Sequence, residues 1–210
     1  TGINLSYQDS CTISRDSITI SSPSSNPAGI YLYGCQKEMV FYNTISVSSS
    51  SASAGGYGLH IHNGNALAEG SAFIINNFIS LSSNAEVVAF GILLRNSPDR
   101  KIYSNTINIS GSNSLSQSFR AWESSENFSA HNNIFANHAG GHAFSSDAAI
   151  NFTSDYNDLY TSGSMLTPDY STLDQWQTAT SKDQHSISVV PGFISNDDLH
   201  IDCLLYTSDA

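Results

Sequence analysis

One short pattern recurs along this chain: Asn, any residue, then Ile, Phe or Leu. It is written as Asn43-Thr44-Ile45, Asn77-Phe78-Ile79, Asn105-Thr106-Ile107, Asn133-Ile134-Phe135 and Asn157-Asp158-Leu159. Asp16-Ser17-Ile18 reads as a degenerate first copy, so successive copies lie 27, 34, 28, 28 and 24 residues apart. A second pattern precedes the first: a small residue, then apolar residues two apart. Its copies are Gly29-Ile30-Tyr31-Leu32, Gly58-Leu59-His60-Ile61 and Gly91-Ile92-Leu93-Leu94. Looser ones are Ser118-Phe119-Arg120-Ala121 and Ala149-Ile150-Asn151-Phe152. Alternation of this kind is the period of a strand, not of a helix. Each unit then reads as strand, turn, strand, Asn turn, strand, turn. Such a unit cannot bury its apolar face alone, so the copies must stack into a solenoid. The expected fold is all-β, with about six single-stranded coils at ~4.8 Å spacing, a rod of roughly 30 Å. The polar stretches 48–56, 63–70 and 110–117 read as exposed loops between coils.

The recurring Asn has its own physical role. Asn tolerates the left-handed backbone of a sharp turn, and its amide both donates and accepts. Stacked at equivalent corners, Asn43, Asn77, Asn105, Asn133 and Asn157 are expected to form a structural amide ladder. An inward Asn satisfied in this way is cheap, whereas an orphaned one is costly.

Composition fits short strands joined by polar turns. Charged residues make up 12%, about half of the roughly 25% usual in globular domains. Apolar residues still reach 40%, which argues against disorder. The net charge of −11 reflects few bases: Arg15, Lys37, Arg95, Arg100, Lys101, Arg120 and Lys182. No basic stripe is available to a phosphate backbone, so nucleic acid is not expected as a partner. No apolar run approaches the ~18 residues of a membrane span. Cys11 and Cys35 either pair in an oxidising compartment or are buried thiols, and the sequence leaves both readings open.

The Gly-Ile-x-Leu strand, followed some 14 residues later by x-Asn-x-Ile, resembles the right-handed parallel β-helix repeat of pectin-lyase-like proteins of the secreted bacterial type. The resemblance covers about residues 11–160. A further stretch is similar to the closing region of such proteins. It includes Ser154-Asp155-Tyr156-Asn157, Leu173-Asp174-Gln175-Trp176, Pro191-Gly192-Phe193 and Asp198-Leu199-His200. The expected organisation is coils over 1–160 and a closing region over 161–202, with one short helix at about 172–180. Thr172 would cap that helix with Gln175 three residues on, and Leu173 and Trp176 would cover an end of the solenoid. Residues 203–210, C-L-L-Y-T-S-D-A, resemble a translated transposon-end sequencing adaptor. They are set aside as non-native, which would point to a metagenomic source.

The alternation also predicts which side chains face outward on the Gly-led strand. With Ile30, Leu59, Ile92, Phe119 and Ile150 inside, Tyr31, His60, Leu93, Arg120 and Asn151 point out. Tyr33, His62, Arg95, Trp122 and Thr153 form the next outward row. The resemblance places this strand in the sheet whose outer face lines the glycan cleft of enzymatic relatives. Tyr31, Tyr33, His60, His62, Arg95, Arg120 and Trp122 are therefore the expected ligand-binding residues, since aromatic faces cover sugar rings and polar tips bond hydroxyls.

Other constellations are weaker. His60 and His62 could share a metal, but no third ligand is evident, Glu69 being on a different segment. Surface histidines are the expectation, with no metal assigned. His131, His138 and His142 cluster about Gly140-Gly141 with Asp147 as the near carboxylate, and read as turn residues. A lyase of acidic glycans would need a basic residue and Ca²⁺ in a carboxylate cage, and only Asp99 offers itself. A hydrolase needs clustered acids, and Asp197-Asp198 lies outside the coils. No catalytic residue and no cofactor is assigned. The leading expectation is an extracellular module, secreted or on a bacterial cell surface, presenting a carbohydrate-binding or adhesive face. Its partner would be a polysaccharide or cell-surface glycan, and it would act as a monomer or as part of a larger chain. The alternatives are a polysaccharide lyase or glycoside hydrolase whose catalytic part is incomplete here, and the structural stalk of a surface protein.

Overall fold

The computed structural model describes all residues except 24–25, 51–54, 65–71, 84–87, 148–149 and 203–210. The adaptor-like tail, Glu69 and the centre of the 48–56 loop therefore lie outside the described residues. Six coils follow one another. The first holds β1 (Ile3–Ser6), β2 (Thr12–Ser14) and β3 (Ser17–Ser22), and the second β4 (Ala28–Tyr33), β5 (Met39–Phe41) and β6 (Thr44–Ser49). The third holds β7 (Tyr57–His62), β8 (Ala72–Ile75) and β9 (Phe78–Ser83), and the fourth β10 (Phe90–Arg95), β11 (Arg100–Tyr103) and β12 (Thr106–Gly111). The fifth holds β13 (Gln117–Trp122), β14 (Phe128–His131) and β15 (Ile134–Asn137). The sixth holds β16 (His142–Ser146), β17 (Phe152–Asp155) and β18 (Asp158–Thr161). Each strand pairs in parallel with its counterpart one coil away, which makes three six-stranded sheets.

Stacking puts equivalent side chains above one another. Ile30, Leu59, Ile92, Phe119 and Phe144 form the inner row of the first sheet, and Ile45, Ile79, Ile107, Phe135 and Leu159 that of the third. All of them are fully buried. Towards the C-terminal end the aliphatic core gives way to rings. Phe119 stacks on Phe144 at 4.9 Å and Phe128 on Phe152 at 4.7 Å between centroids. The helix α1 (Leu173–Thr180) then lays Trp176 against Phe144 and Phe152, closing that end of the shaft. Thr172 caps it by accepting from the Gln175 backbone N–H, while the Gln175 carbonyl reaches Ser171 instead of completing a reciprocal box.

The amides stack as a continuous chain. The side-chain N–H of Asn43 donates to Asn77 Oδ1 at 2.9 Å, Asn77 to Asn105 at 2.9 Å, Asn105 to Asn133 at 3.1 Å and Asn133 to Asn157 at 3.0 Å. Each Oδ1 also accepts the backbone N–H of the preceding rung, beginning with Asp16. The left-handed backbone, however, belongs to the residue before each ladder Asn. Arg15, Tyr42, Asn76, Ser104, Asn132 and Tyr156 have φ of 60°, 58°, 52°, 56°, 57° and 58°. The turn thus divides its work: one residue supplies the bend and the next supplies the amide.

The last rung corrects the sequence reading. The repeat pattern places residues 149–152 on the Gly-led strand, but β16 occupies that position, with Phe144 opposite Phe119 and Ser145 opposite Arg120. Asn137 Oδ1 accepts from the backbone N–H groups of Ala139 and Gly141, turning the chain back within a few residues. Asn151 therefore lies between β16 and β17, off the first sheet, and Thr153 faces Ser129 on the second sheet. Among the described residues of the polar stretches, Ser50, Gly111, Ser112, Ser114 and Leu115 are exposed, while Ser49 and Ser110 belong to strands and are buried, as are Asn113 and Ser116; residues 65–70 lie outside the described residues.

Candidate functional site

The outer face of the first sheet carries a contiguous cluster of rings. Parallel register aligns Tyr31 with His60 and Leu93, and Tyr33 with His62, Arg95 and Trp122. Tyr31 meets His60 at 4.9 Å, Tyr33 meets His62 edge-on at 5.2 Å, and His60 and His62 stack at 5.6 Å with planes 6° apart. Three further rings join them that sequence reasoning missed. Tyr57 stacks on His60 at 4.8 Å, Phe90 on Tyr57 at 5.8 Å, and Tyr7 packs edge-on against Tyr33 at 5.4 Å.

Tyr57 and Phe90 escape simple parity because alternation breaks at the glycine. The register pairs Ala28 with Tyr57 and Tyr57 with Phe90, skipping Gly29, Gly58 and Gly91. These glycines face the core: a Cβ on Gly58 would stand 2.3 Å from Ile79 Cγ2 and 2.5 Å from the Gly91 carbonyl oxygen. With the glycine turned inward, the residue before it turns out.

The arginines of the face are both engaged. The Arg95 guanidinium lies 4.7 Å from the centroid of Trp122, which is 39% exposed, and pairs with Glu123 at 2.8 Å. Arg120 pairs with Asp147 at 2.5 Å and donates to Ser145 Oγ. Asp147 in turn accepts the Glu123 backbone N–H at 3.0 Å. The Arg95 hydrogen bond holds the Glu123 carboxyl below the usual carboxylate range. Beside the rings a cleft of about 240 Å³ is lined by Asn63, Gly64, Asn96, Pro98, Ser124 and Glu126. Asn63 donates to the Tyr33 hydroxyl, and Asn96 donates to Asn63.

The histidines differ from the expectation of surface groups. His60 is buried, and its Nε2 makes no hydrogen bond. Burial pushes its pKa down to about 4, aided by neighbouring His62 and Arg95. Burial also lowers His62. Leu93, expected outside, is likewise only 2% exposed. Among the described residues no group of three or more His, Cys, Asp or Glu side chains is placed to hold a metal. His131, His138 and His142 do not converge. They meet Thr153, Asn108 and the Met165 carbonyl respectively, and Asp147 is taken by Arg120. Asp198 pairs with His200 in a turn. Cys11 and Cys35 are free thiols, and burial, with Cys35 and Glu38 nearby, pushes Cys11 up to about 11.

A family model described as right handed beta helix region matches residues 1–171. The chain belongs to this β-helix family. No curated protein and no solved structure matches it. No helix of this β-helix protein, among the described residues, is long and apolar enough to cross a membrane.

A neutral imidazole buried in the platform has a consequence for stability. The unfolded His60 takes up a proton below about pH 6.5, while the folded one does so only near pH 4. Stability is therefore intact above pH 6.5 and falls between the two values, by about 2 kcal/mol from pH 8 to pH 5. Asp158, pushed up to about 6 by burial, acts in the opposite sense, so the comparison must be against a variant. His60→Phe is expected to remove this slope in urea melts at pH 8 and 5. Parallel pH profiles for variant and parent would contradict it.

Proposed function

We propose that this β-helix is an extracellular module, secreted or on the cell surface, whose first-sheet outer face binds carbohydrate. The observation that carries the reading is the ring platform itself. Tyr7, Tyr31, Tyr33, Tyr57, His62 and Trp122 share one face, with amides of Asn63 and Asn96 at its border. Apolar sugar faces stack on such rings while the flanking amides bond hydroxyls. The rung from Tyr33 to Trp122 crosses four coils, roughly 15 Å at ~4.8 Å per coil, enough for a short oligosaccharide.

The charges support binding over catalysis. Hydrolysis needs one carboxyl that holds a proton beside one that does not. Here Glu123 is kept ionised by Arg95, and Asp147 is held by Arg120. A lyase needs a base free to remove a proton, and both arginines of the face are paired.

The double variant Tyr33→Ala/Trp122→Ala is expected to lose at least tenfold in glycan retention on an array, with circular dichroism unchanged. Trp122 is 39% exposed and Tyr33 lies outside the core, so the fold should survive. Retention equal to the parent's would remove the platform from the binding reading. A parent that retains no glycan would leave the stalk reading in its place.

A further inference from the structure

We propose that the platform takes a neutral glycan and discriminates against uronate-bearing polymers; this rests on the binding reading above and specifies its ligand. The ground is how the charges of the face are arranged. Recognition of a carboxylated sugar calls for a free guanidinium or ammonium, because a bidentate fork to the carboxylate is the strong contact. Among the described residues the first-sheet face carries two such groups, Arg95 and Arg120. Each is already bonded to a carboxylate of the protein: Arg95 Nε and Nη2 to Glu123 Oε1 at 2.9 and 2.8 Å, and Arg120 Nη2 to Asp147 Oδ1 at 2.5 Å. The two pairs cancel. The adjoining cleft has a carboxylate, Glu126, and no cation among its lining residues. The imidazoles add no charge near neutral pH, since burial lowers both His60 and His62. The chain as a whole carries −11, so its long-range field also repels polyanions.

What remains attractive on the face is uncharged: ring faces, the Tyr hydroxyls and the amides of Asn63 and Asn96. These suit hexose or pentose units with apolar faces and equatorial hydroxyls. Glu123 and Asp147 act as internal counter-ions. They hold the guanidiniums against Trp122 and Ser145, so a uronate would have to displace a carboxylate of the protein to engage them. The arrangement disfavours the wrong ligand by offering no unpaired cation among the described residues of the face, and the chain's net negative charge adds to that discrimination.

The test is retention on immobilised neutral polymers (xylan, mannan, a mixed β-glucan) and on polygalacturonate and alginate, at low and high salt. The parent is expected on at least one neutral polymer, with retention changing less than twofold with salt, and not on the acidic ones. The charge-removing double variant Glu123→Gln/Asp147→Asn frees both arginines. The amide oxygen that replaces the Asp147 carboxylate can still accept the backbone N–H of residue 123, so the turn is retained. This variant is expected to gain tenfold or more on polygalacturonate, and to lose that gain at high salt. Parent retention on acidic polymers, abolished by salt, would overturn the ligand class but leave the binding reading standing. Retention on neither class would overturn both. A double variant with no gain on polygalacturonate would show that the pairing masks nothing, and would overturn the inference as well.

Discussion

Glu38→Ala is expected to destabilise the solenoid by about 3–5 kcal/mol, because it strands a buried guanidinium. Glu38 and Arg100 are both completely buried, and Arg100 Nε and Nη2 reach Glu38 Oε1 at 2.9 and 2.8 Å. Arg100 also donates to the carbonyls of Gly64 and Pro98. Register explains the reach. Met39 and Lys101 both pair with Phe73, so Glu38 and Arg100 lie on either side of one intervening coil and tie its two neighbours together. Glu38 Oε2 accepts no hydrogen bond, so the pair is incompletely satisfied, and its removal as a unit should be far milder than the loss of one partner. Glu38→Leu/Arg100→Met is accordingly expected to melt within about 1 kcal/mol of the parent or above it. In thermal scans the single variant should fall by on the order of 10 °C. A single variant melting together with the parent, or a double variant worse than either single, would refute the staple.

This pair marks the limit of what the sequence can disclose. Its partners are 62 residues apart, with no periodic signal joining them, and Glu38 reads like any polar turn residue. The coil itself was legible, because Ile45, Ile79, Ile107 and Phe135 recur behind Asn at intervals of 34, 28 and 28 residues. Tyr31, Tyr33, His60 and His62 also fall on one face by alternation alone. Alternation failed where a backbone feature intervened. Gly58 turns inward against Ile79, which sends Tyr57 outward against simple parity. The sixth rung failed for a related reason: Ile150 and Phe152 imitate the repeat, but the tight turn held by Asn137 lets Phe144 reach the core first. Paired charges lie deeper still. Arg95 and Arg120 are visible in the sequence as outward bases, yet Glu123 and Asp147 follow strands whose turns have no recognisable pattern.

Removing one amide from the ladder should be as damaging as breaking the staple. Asn105 is fully buried and serves four neighbours. Its Oδ1 accepts the backbone N–H and the side-chain N–H of Asn77, and its Nδ2 donates to Asn133 Oδ1 and to the carbonyls of Ile74 and Tyr103. In Asn105→Leu the two Asn77 donors lose their acceptor inside a fully buried corner, which costs about 2–6 kcal/mol at roughly 1–3 kcal/mol per orphaned group. Asn105→Asp separates the two halves of the amide's role. The carboxylate can still accept from Asn77 but faces three oxygens, so burial and repulsion should raise its folded pKa. A raised carboxyl contributes stability at low pH and loses it as pH rises through the folded value. The deficit of Asn105→Asp relative to the parent should therefore shrink between pH 8 and pH 5, while that of Asn105→Leu should not. The ladder's own terminus shows what a carboxylate there requires: Asp183 accepts from Asn157 Nδ2, Ser154 Oγ, Ser186 Oγ and Trp176 Nε1. Position 105 has no such set of donors. Equal pH dependence for the two variants in urea melts would mean that the corner is hydrated, and that the amides align without holding the coils together.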